Sequence, residues 1–354
     1  MKTLLMVTLS NHTCFQDGIF SMYDELKDRY NVYTLSLSES DYPSPKEKNN
    51  FYVDAPKKPG ITKGTFNLIK LHRMIKIIRK IHADVVYFES SHLWNYPIVL
   101  HCKAEHISIA HTINDVIPHM GDSNRGISDF LNRLTCVFSD HVVMRSADGL
   151  AKAKKRFPNY QSKMNKVDLW YSFPEYRGVQ NRTVLFFGKI KRYKGIDKLL
   201  ELIQKTPDIQ YVVAGKADKT VAETVLKIRQ LPNADVIEGV IPHSKMHEFF
   251  YNACCVVLPY ETATQSGVII DAYKHSRPAV AFNVGAIGEE IQNGITGFTI
   301  APGDVDALAS CIKRIVSMPH VQLEQLCHNA YSYGVDHFSA HSKENEFLTA
   351  IGLQ

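Results

Sequence analysis

Residues 256–282 read VVLPYETATQSGVIIDAYKHSRPAVAF. The first apolar run ends at Pro259 and Tyr260, a small polar segment follows, and a helical pattern begins at Gly267. A second apolar run covers residues 278–282. Continuous rather than alternating apolarity is typical of strands that are buried on both faces. The stretch therefore predicts a strand, a helix and a second strand of a parallel sheet covered by helices.

Apolar runs of this kind recur along the chain, with longer amphipathic stretches between them. They lie at residues 3–10, 31–37, 84–90, 107–112, 141–147 and 166–172, and again at 183–189, 209–216, 235–240, 255–260, 278–282 and 297–300. This alternation predicts an α/β protein of two doubly wound, Rossmann-like domains. Pro, Gly and polar residues interrupt it at 172–183. We therefore predict domains over 1–175 and 176–335, and a closing helix over 336–354 that packs near the first domain.

Bulk composition indicates a soluble globular protein. The 354 residues are 45% hydrophobic and 22% charged, which fits two domains of ordinary size. No stretch approaches the roughly 20 apolar residues that span a bilayer, and residues 1–13 predict a buried strand rather than a signal peptide. The seven cysteines form no CxxC motif, as expected for reduced thiols. We expect a cytoplasmic protein.

A cluster of cations follows the strand predicted at 183–189. Residues 184–202 read VLFFGKIKRYKGIDKLLEL, so Gly188 and Lys189 end the strand, and Lys194 and Gly195 stand where a helix begins. Two cations beside a helix N-terminus suit a pyrophosphate, because the helix also offers free N–H groups. The alternative is a solvated basic turn.

The polar segment before the helix at Gly267 has the composition of a second binding element. Thr264 or Ser266 can cap this helix, and Gly267 lets a ligand approach the backbone. Asp271, one turn into the helix, can accept hydrogen bonds from a ribose diol. A solvated Asp at a helix start is the alternative. A glycine loop with Glu289, NVGAIGEEI at 283–291, precedes a further helix.

Together these segments resemble the family-4 retaining glycosyltransferases of the GT-B fold. In that family a strand ends in Gly-Arg or Gly-Lys, and a Lys-Gly pair, an E-x7-E motif and a glycine loop with a Glu follow. The resemblance covers residues 184–315 well and the first half more loosely. It implies two Rossmann-like domains facing across a cleft, with a UDP- or GDP-sugar as co-substrate and no metal.

The resemblance assigns roles to individual residues. Lys189 and Lys194 match the cations that bind the diphosphate. Asp271 matches the second acid of E-x7-E, which holds the ribose, and Glu289 matches the glutamate of the glycine loop.

The first acid of E-x7-E is missing in register, because Ala263 stands eight positions before Asp271. The loop instead resembles a branch of the family that reads A-T-Q-S-G. In that branch Thr264, Gln265 and Ser266 lie beside the phosphates and the sugar, and Gly267 follows them. This departure concerns the identity of the sugar more than the class of reaction.

The first half is expected to hold the acceptor. Residues 111–122, HTINDVIPHMGD, resemble the family's T-x-H-D strand end with a second His. Asn114 replaces the first His, while Asp115 and His119 remain, and such a cluster can position an acceptor hydroxyl and share its proton. A solvated loop is the alternative. Asp17 and Gly18 occupy the family's glycine-containing loop after the first strand and are expected near the acceptor.

Two further ligand classes are disfavoured by the sequence. His111 and His119 have no third ligand at a convincing spacing, so we predict no catalytic metal. Eight Lys or Arg and no acid lie between Asp54 and Asp84. This basic stretch, at residues 57–86, has no interleaved aromatics and no recognition motif, so we expect no nucleic acid partner.

The basic stretch at 57–86 also carries an apolar helical face. It predicts a helix that covers the sheet with a solvated basic side. The alternative is docking on the anionic inner face of the plasma membrane, where each nearby cation contributes about 1 kcal/mol.

The sequence therefore predicts a retaining, metal-independent hexosyltransferase. Its expected acceptor is a saccharide or lipid-linked saccharide, and the resemblance implies bacterial surface polysaccharide synthesis, such as capsule or O-antigen. Ala263 and Asn114 leave open a non-catalytic partner that binds nucleotide-sugars. Another GT-B enzyme, such as a nucleotide-sugar epimerase, is the third alternative.

Overall fold

The computed structural model describes residues 1–10, 13–38, 45, 47–56, 63–116, 125–263, 266–285 and 287–354. Contacts divide the chain into two compact units. The first unit comprises Met1–Ser172 together with Phe338–Gln354, and the second comprises Phe173–His337. The boundaries predicted from the sequence lie three residues after the first division and two before the second.

Each unit is built on one parallel sheet. The strands of the first sheet are β1 (Thr3–Thr8), β2 (Asn31–Leu37), β3 (Asn50–Val53), β4 (Val85–Phe88), β5 (Ser108–Ile113), β6 (His141–Met144) and β7 (Met164–Lys166). Those of the second are β8 (Thr183–Phe187), β9 (Tyr211–Gly215), β10 (Ala234–Glu238), β11 (Ala253–Leu258), β12 (Ala279–Phe282) and β13 (Gly297–Ile300).

The α-helices follow the strands in chain order. They are α1 (Thr13–Leu26), α2 (Leu68–Ile81), α3 (Asn95–Ala104), α4 (Arg125–Phe138), α5 (Ala147–Arg156), α6 (Ile196–Lys205), α7 (Ala222–Arg229), α8 (His243–Tyr251), α9 (Gly267–Lys274), α10 (Ile287–Glu290), α11 (Val305–Val316), α12 (His320–Phe338) and α13 (Ala340–Ala350). Among the described residues, none of these helices combines the length and apolarity needed to cross a bilayer.

The strand order is that of a doubly wound sheet in both units. The first sheet runs β3-β2-β1-β4-β5-β6-β7 and the second runs β10-β9-β8-β11-β12-β13. The direction of winding reverses between β1 and β4, and again between β8 and β11. Ligands of open α/β sheets bind at such switch points, beyond the carboxyl ends of the strands. Two candidate edges are thereby defined.

The first sheet is covered on both faces, which explains its continuous apolar runs. Leu4 and Met6 of β1 point to one core with α1 and α13, while Leu5 and Val7 point to the other core with α2 and α3. Both faces of the strand are thus selected for apolar side chains. Because Phe347 of α13 lies in the first of these cores, the closing helix belongs to the first unit.

Helix α2 covers this sheet as the sequence predicted. Met74, Ile78 and Ile81 are buried against the sheet at helical spacing, and the side chain of Asn67 accepts a hydrogen bond from Lys70 N at the helix start. The predicted basic stretch begins outside the described residues, at 57–62.

Two strand predictions are wrong in detail. The run at 166–172 predicted a strand, but β7 ends at Lys166, and Tyr171 makes only an isolated bridge to Ser339. Trp170 and Tyr171 are apolar because their side chains are buried in the first unit. The short strand β3 was missed, because an edge strand of four residues, two of them half-buried, gives too short an apolar run.

Candidate functional site

The candidate site lies at the switch point of the second sheet. Gly188 directly follows β8, and Pro259 and Tyr260 directly follow β11, which is the neighbour of β8 in the sheet. The two strand ends therefore bring their following residues together at one edge. This is the position at which open α/β sheets bind ligands.

Lys194 and Tyr260 form the centre of the site. The Lys194 Nζ donates a hydrogen bond of 2.8 Å to the Tyr260 hydroxyl and lies 4.5 Å from the ring centroid. A cation over an aromatic face is stabilised by the ring quadrupole as well as by the hydrogen bond. The ammonium group of Lys194 is therefore held in one place.

The backbone around Lys194 can take this position only because the next residue is glycine. Gly195 has φ +71°, and a Cβ atom there would lie 1.7 Å from the Pro259 carbonyl oxygen. The Glu261 N–H also donates a hydrogen bond of 2.9 Å to the Tyr193 carbonyl. These contacts hold the turn at residues 193–195 against the end of β11.

Burial removes water from around the ammonium group of Lys194 and so disfavours its charged form. Burial, reinforced by the nearby charges of Lys189 and Lys191, lowers the pKa of Lys194 to about 8. Lys189 itself is exposed. An anionic ligand between these cations would relieve their repulsion and restore the charge on Lys194.

A narrow gap separates the end of β8 from the start of α9. A Cβ atom at Gly188 would lie 3.6 Å from Val268 Cγ2 and 3.8 Å from Lys194 Nζ. Because Gly188 has no side chain, its backbone is accessible from the side of Val268 and from the side of Lys194.

Ser266 stands at the N-cap of α9 in an extended conformation, but its side chain makes no capping hydrogen bond, so the predicted cap at Ser266 is wrong.

The Ser266 hydroxyl is buried within the candidate site. Its Oγ is buried and makes no hydrogen bond of standard geometry among the described residues. Burial raises the pKa of Tyr260, and the adjacent Ser266 hydroxyl partly offsets that shift, which places the two side chains together. A buried polar atom without a partner costs stability unless something else binds it.

Glu290 is a site residue that the sequence did not single out. Its carboxylate lies near the Ser266 backbone, while its Oε2 is buried and unpaired within the part of the chain that the structure describes. Burial raises the pKa of Glu290 to about 7. The predicted Glu289 is exposed instead, and its role stays a prediction. Glu289 and Glu290 are adjacent acids, and no sequence signal distinguishes them.

Asp271 and Gly267 occupy the predicted helix. Asp271 is half-buried, and its charge contributes to the raised pKa of Tyr260, so Asp271 and Lys194 share this neighbour. Its carbonyl accepts a hydrogen bond of 2.6 Å from His275 Nδ1. A Cβ atom at Gly267 would meet no atom of the described residues within 4 Å, so the first turn of α9 is open toward them.

Three predicted residues lie outside the described residues: Thr264, Gln265 and His119. The other two members of the predicted acceptor cluster, Asn114 and Asp115, are described. Asn114 donates a hydrogen bond of 3.0 Å to the Glu89 carbonyl. Asp115 is exposed, and its carbonyl accepts a hydrogen bond from Asn132. The catalytic roles of this cluster stay predictions.

Asp17 and Gly18 lie within α1 rather than in the predicted loop, because the helix already begins at Thr13. Asp17 is buried and accepts hydrogen bonds from the Ser172 hydroxyl and backbone, at 2.6 and 3.2 Å. The Gly18 carbonyl accepts a bond of 2.7 Å from the Trp170 indole. Both residues therefore anchor the end of the first unit, and their contact with an acceptor stays a prediction.

A buried polar cluster at the edge of the first sheet was also missed. Arg145, which follows β6, donates hydrogen bonds to Glu89 and to the Tyr87 hydroxyl and stacks over the Trp170 ring at 4.1 Å. The available signal was an arginine inside an apolar run, HVVMRSA. Asn114 binds the carbonyl of the same Glu89, so the predicted acceptor cluster adjoins this ion pair.

The second unit also matches a known sequence family. Residues 181–318 match the family model described as Glycosyl transferases group 1. The matched residues make up most of the second unit. The site around Lys194, Tyr260 and α9 lies entirely within the matched residues.

Several glycosyltransferases are similar to the chain in sequence. An alpha-D-kanosaminyltransferase of Streptomyces kanamyceticus is 27% identical over 152 residues, which cover 42% of this chain and 39% of the relative. A capsular polysaccharide biosynthesis glycosyltransferase, CapM, of Staphylococcus aureus is 25% identical over 52% of this chain and 49% of the relative. An uncharacterized glycosyltransferase of Haemophilus influenzae is 21% identical over 84% and 85%. The chain thus spans about two fifths of the kanosaminyltransferase and most of the Haemophilus protein.

Solved structures share the fold of the whole chain. The Anabaena protein HepE, crystallised with UDP and glucose, has a TM-score of 0.72 at 14% identity and full coverage of both chains. Sucrose-phosphate synthase of Thermosynechococcus elongatus has a TM-score of 0.68 at 14% identity, also with full coverage. Together with the two doubly wound sheets, this likeness confirms the predicted GT-B fold class.

Proposed function

We propose that the chain is a retaining, metal-independent hexosyltransferase. It takes a sugar from a UDP- or GDP-sugar and transfers it to a saccharide or lipid-linked saccharide, in the cytoplasm, during bacterial surface polysaccharide synthesis. One observation carries the proposal: Lys194, whose pKa burial lowers to about 8, donates a hydrogen bond to Tyr260 at the switch point of the second sheet.

In this proposal the donor diphosphate lies between the cations and the start of α9. Lys194 and Lys189 face the diphosphate, and the backbone of Gly267 approaches it from the helix end. As the bond from the anomeric carbon to the phosphate oxygen breaks, negative charge grows on the leaving diphosphate. Preorganised cations and N–H donors stabilise that charge more than they stabilise the ground state.

The remaining donor contacts follow from the same element. Asp271 accepts hydrogen bonds from the ribose diol, one turn beyond the diphosphate. UDP is supported by HepE, which was crystallised with UDP and UDP-glucose. A surface polysaccharide product is supported by the named role of CapM.

The proposal assigns the acceptor to residues of the first unit. Asn114, Asp115 and His119 position its hydroxyl, and the new bond joins that oxygen to the anomeric carbon. The hydroxyl proton passes to the departing phosphate oxygen. No protein nucleophile is assigned, so attack on the face that the diphosphate leaves accounts for retention.

A thermal-shift panel with UDP, GDP, ADP and their sugars tests donor binding. A nucleotide at 100 times its dissociation constant should stabilise the protein by about 2.7 kcal/mol. Lys194→Ala should lose this shift and the turnover, whereas Lys245→Ala, an exposed control on α8, should keep both. Unchanged nucleotide-sugar affinity and turnover in Lys194→Ala would refute the assignment.

Product analysis tests the finer parts of the proposal. NMR of the anomeric proton distinguishes retention from inversion, and unchanged turnover in a chelator is expected for a metal-independent transfer. An inverted product would overturn the front-face route.

Ala263 and Asn114 favour a second candidate, a non-catalytic partner that binds nucleotide-sugars, since both replace residues expected to be polar or titratable. Binding in the thermal-shift panel without transfer or hydrolysis of any donor would support it. Release of a free sugar epimer without an acceptor would instead indicate an epimerase.

A further inference from the structure

We propose that helix α2 docks the protein on an anionic lipid bilayer. Three large apolar side chains cluster where this helix begins. Phe66 is 81% exposed, Leu68 72% and Ile69 69%. Isolated exposed apolar residues are ordinary, but three within four positions form a patch that marks an interaction site. We name Phe66, Leu68 and Ile69 the apolar tip.

The apolar tip is held in its exposed position by the fold. The Trp94 indole, which is buried, donates a hydrogen bond of 2.9 Å to the Thr65 carbonyl. The Asn67 side chain accepts from Lys70 N at 3.1 Å, and Asn67 N donates to the Gly64 carbonyl at 3.1 Å. The backbone of the tip is therefore anchored on both sides. The side chains of the apolar tip are thus exposed on a fixed backbone.

A row of cations continues from the tip along the same side of α2. Helical spacing of 100° per residue places them within about a third of a turn of Ile69, opposite the buried residues Met74 and Ile78. We name these residues the cationic face: Arg73, Lys76, Arg79 and Lys80. All four are exposed and have no acidic partner among the described residues, whereas Lys70 pairs with Asp54.

A bilayer surface is the partner that fits both features at once. Anionic headgroups attract the cationic face, and the apolar tip can enter the boundary between headgroups and acyl chains. Nucleic acid would use the cations but would leave the apolar tip in water. Because Met74, Ile78 and Ile81 stay buried against the sheet, docking needs no rearrangement of the helix.

Flotation of the full chain with lipid vesicles tests the proposal. Vesicles of phosphatidylcholine with 30% phosphatidylglycerol should carry the protein upward, and vesicles of phosphatidylcholine alone should carry little. Raising the salt from 0.05 to 0.5 M should weaken binding, because the ions screen the surface potential. Equal flotation with both vesicles, or none with the anionic ones, would overturn the proposal.

Matched variants separate the two features. Each cation near an anionic surface contributes about fivefold in affinity, so replacing Arg73, Lys76 and Lys80 together by alanine should lower vesicle affinity about a hundredfold. A control replaces three exposed lysines on other helices and should change affinity less than threefold: Lys155, Lys245 and Lys313.

The apolar tip is tested with Phe66→Ser and Leu68→Ser, each expected to lower vesicle affinity at least fivefold. The control Val321→Ser, at an equally exposed residue of α12, should have no effect. Phe66→Trp should show a blue shift of its fluorescence on anionic vesicles. Loss of affinity in the cation variant without any in the tip variants, and without the blue shift, would overturn insertion.

Binding of duplex DNA in place of vesicles, abolished by the same cation variant, would overturn the bilayer as partner. None of these measurements involves a nucleotide. The docking proposal and the proposed glycosyl transfer can therefore fail independently.

Discussion

Lys194 makes nucleotide binding depend on pH in a direction that the structure fixes. Its pKa is lowered to about 8 by burial and by the charges of Lys189 and Lys191. A bound diphosphate stabilises the ammonium form, so the ligand binds the protonated protein more tightly. Affinity for UDP or GDP should therefore be highest below pH 8 and fall as the pH rises through 8.

The size of the effect follows from the fraction of Lys194 that is protonated. With a pKa of about 8, roughly 90% carries a proton at pH 7 and roughly 10% at pH 9. The affinity should fall about tenfold between these values, or about 1.4 kcal/mol. At pH 8 binding should take up about half a proton, because half of the lysines are neutral before the ligand arrives.

Isothermal titration calorimetry in two buffers of different ionisation enthalpy measures both quantities. The matched variant is Lys194→Arg, whose guanidinium stays charged throughout this range. It should lose about tenfold less affinity than the wild type between pH 7 and 9 and take up about half a proton less at pH 8. Equal pH dependence in the two proteins would refute the role given to Lys194.

The other predictions concern stability and access. Gly195→Ala should lower the stability by more than about 2 kcal/mol in thermal denaturation, because its Cβ would strike the Pro259 carbonyl, 1.7 Å away; an unchanged Tm would contradict this. Gly267→Ala should leave the stability within about 0.5 kcal/mol, since the space there is open, yet weaken nucleotide binding. Burial raises the pKa of Glu290 to about 7, from about 4.5 in the unfolded chain. The contribution of the protonated Glu290 to the free energy of unfolding is therefore complete below pH 4.5 and is lost as the pH rises through 7. Glu290→Gln should therefore stabilise the protein by up to about 3 kcal/mol at pH 8 and hardly at pH 4. Arg277→Lys should destabilise it by about 3 kcal/mol or more, because the buried guanidinium donates to five backbone carbonyls that an ammonium cannot reach together.

The fold could be predicted because burial on both faces leaves a simple trace in the sequence. Leu4 and Leu5 point to opposite cores, and each must be apolar. The same signal gave a wrong strand at 166–172. The side chain of Trp170 is buried against α1, where its indole donates a hydrogen bond to the Gly18 carbonyl, and β7 has already ended at Lys166. Apolarity reports burial, and only its period and its neighbours report secondary structure.

The site could be predicted as far as its charged residues follow strand ends. Lys194 and Asp271 stand at such positions, and the structure places both beside Tyr260. Tyr260 and Glu290 could not be selected in the same way, because their importance comes from burial. Glu289 and Glu290 are equivalent in sequence, and only the packing of Ile287 decides which of them faces Ser266.

Burial shifts the pKa values of two groups of the candidate site, one cationic and one acidic, toward neutral pH. Lys194 with a pKa of about 8 and Glu290 with a pKa of about 7 each change charge near the pH of a cell. Both shifts have the direction that burial imposes, because it disfavours the charged form of each group. A diphosphate would favour the protonated form of both groups, so binding would draw protons onto the site rather than merely neutralise it. A polyanionic ligand suits this arrangement, because it favours the charged form of Lys194 and the neutral form of Glu290.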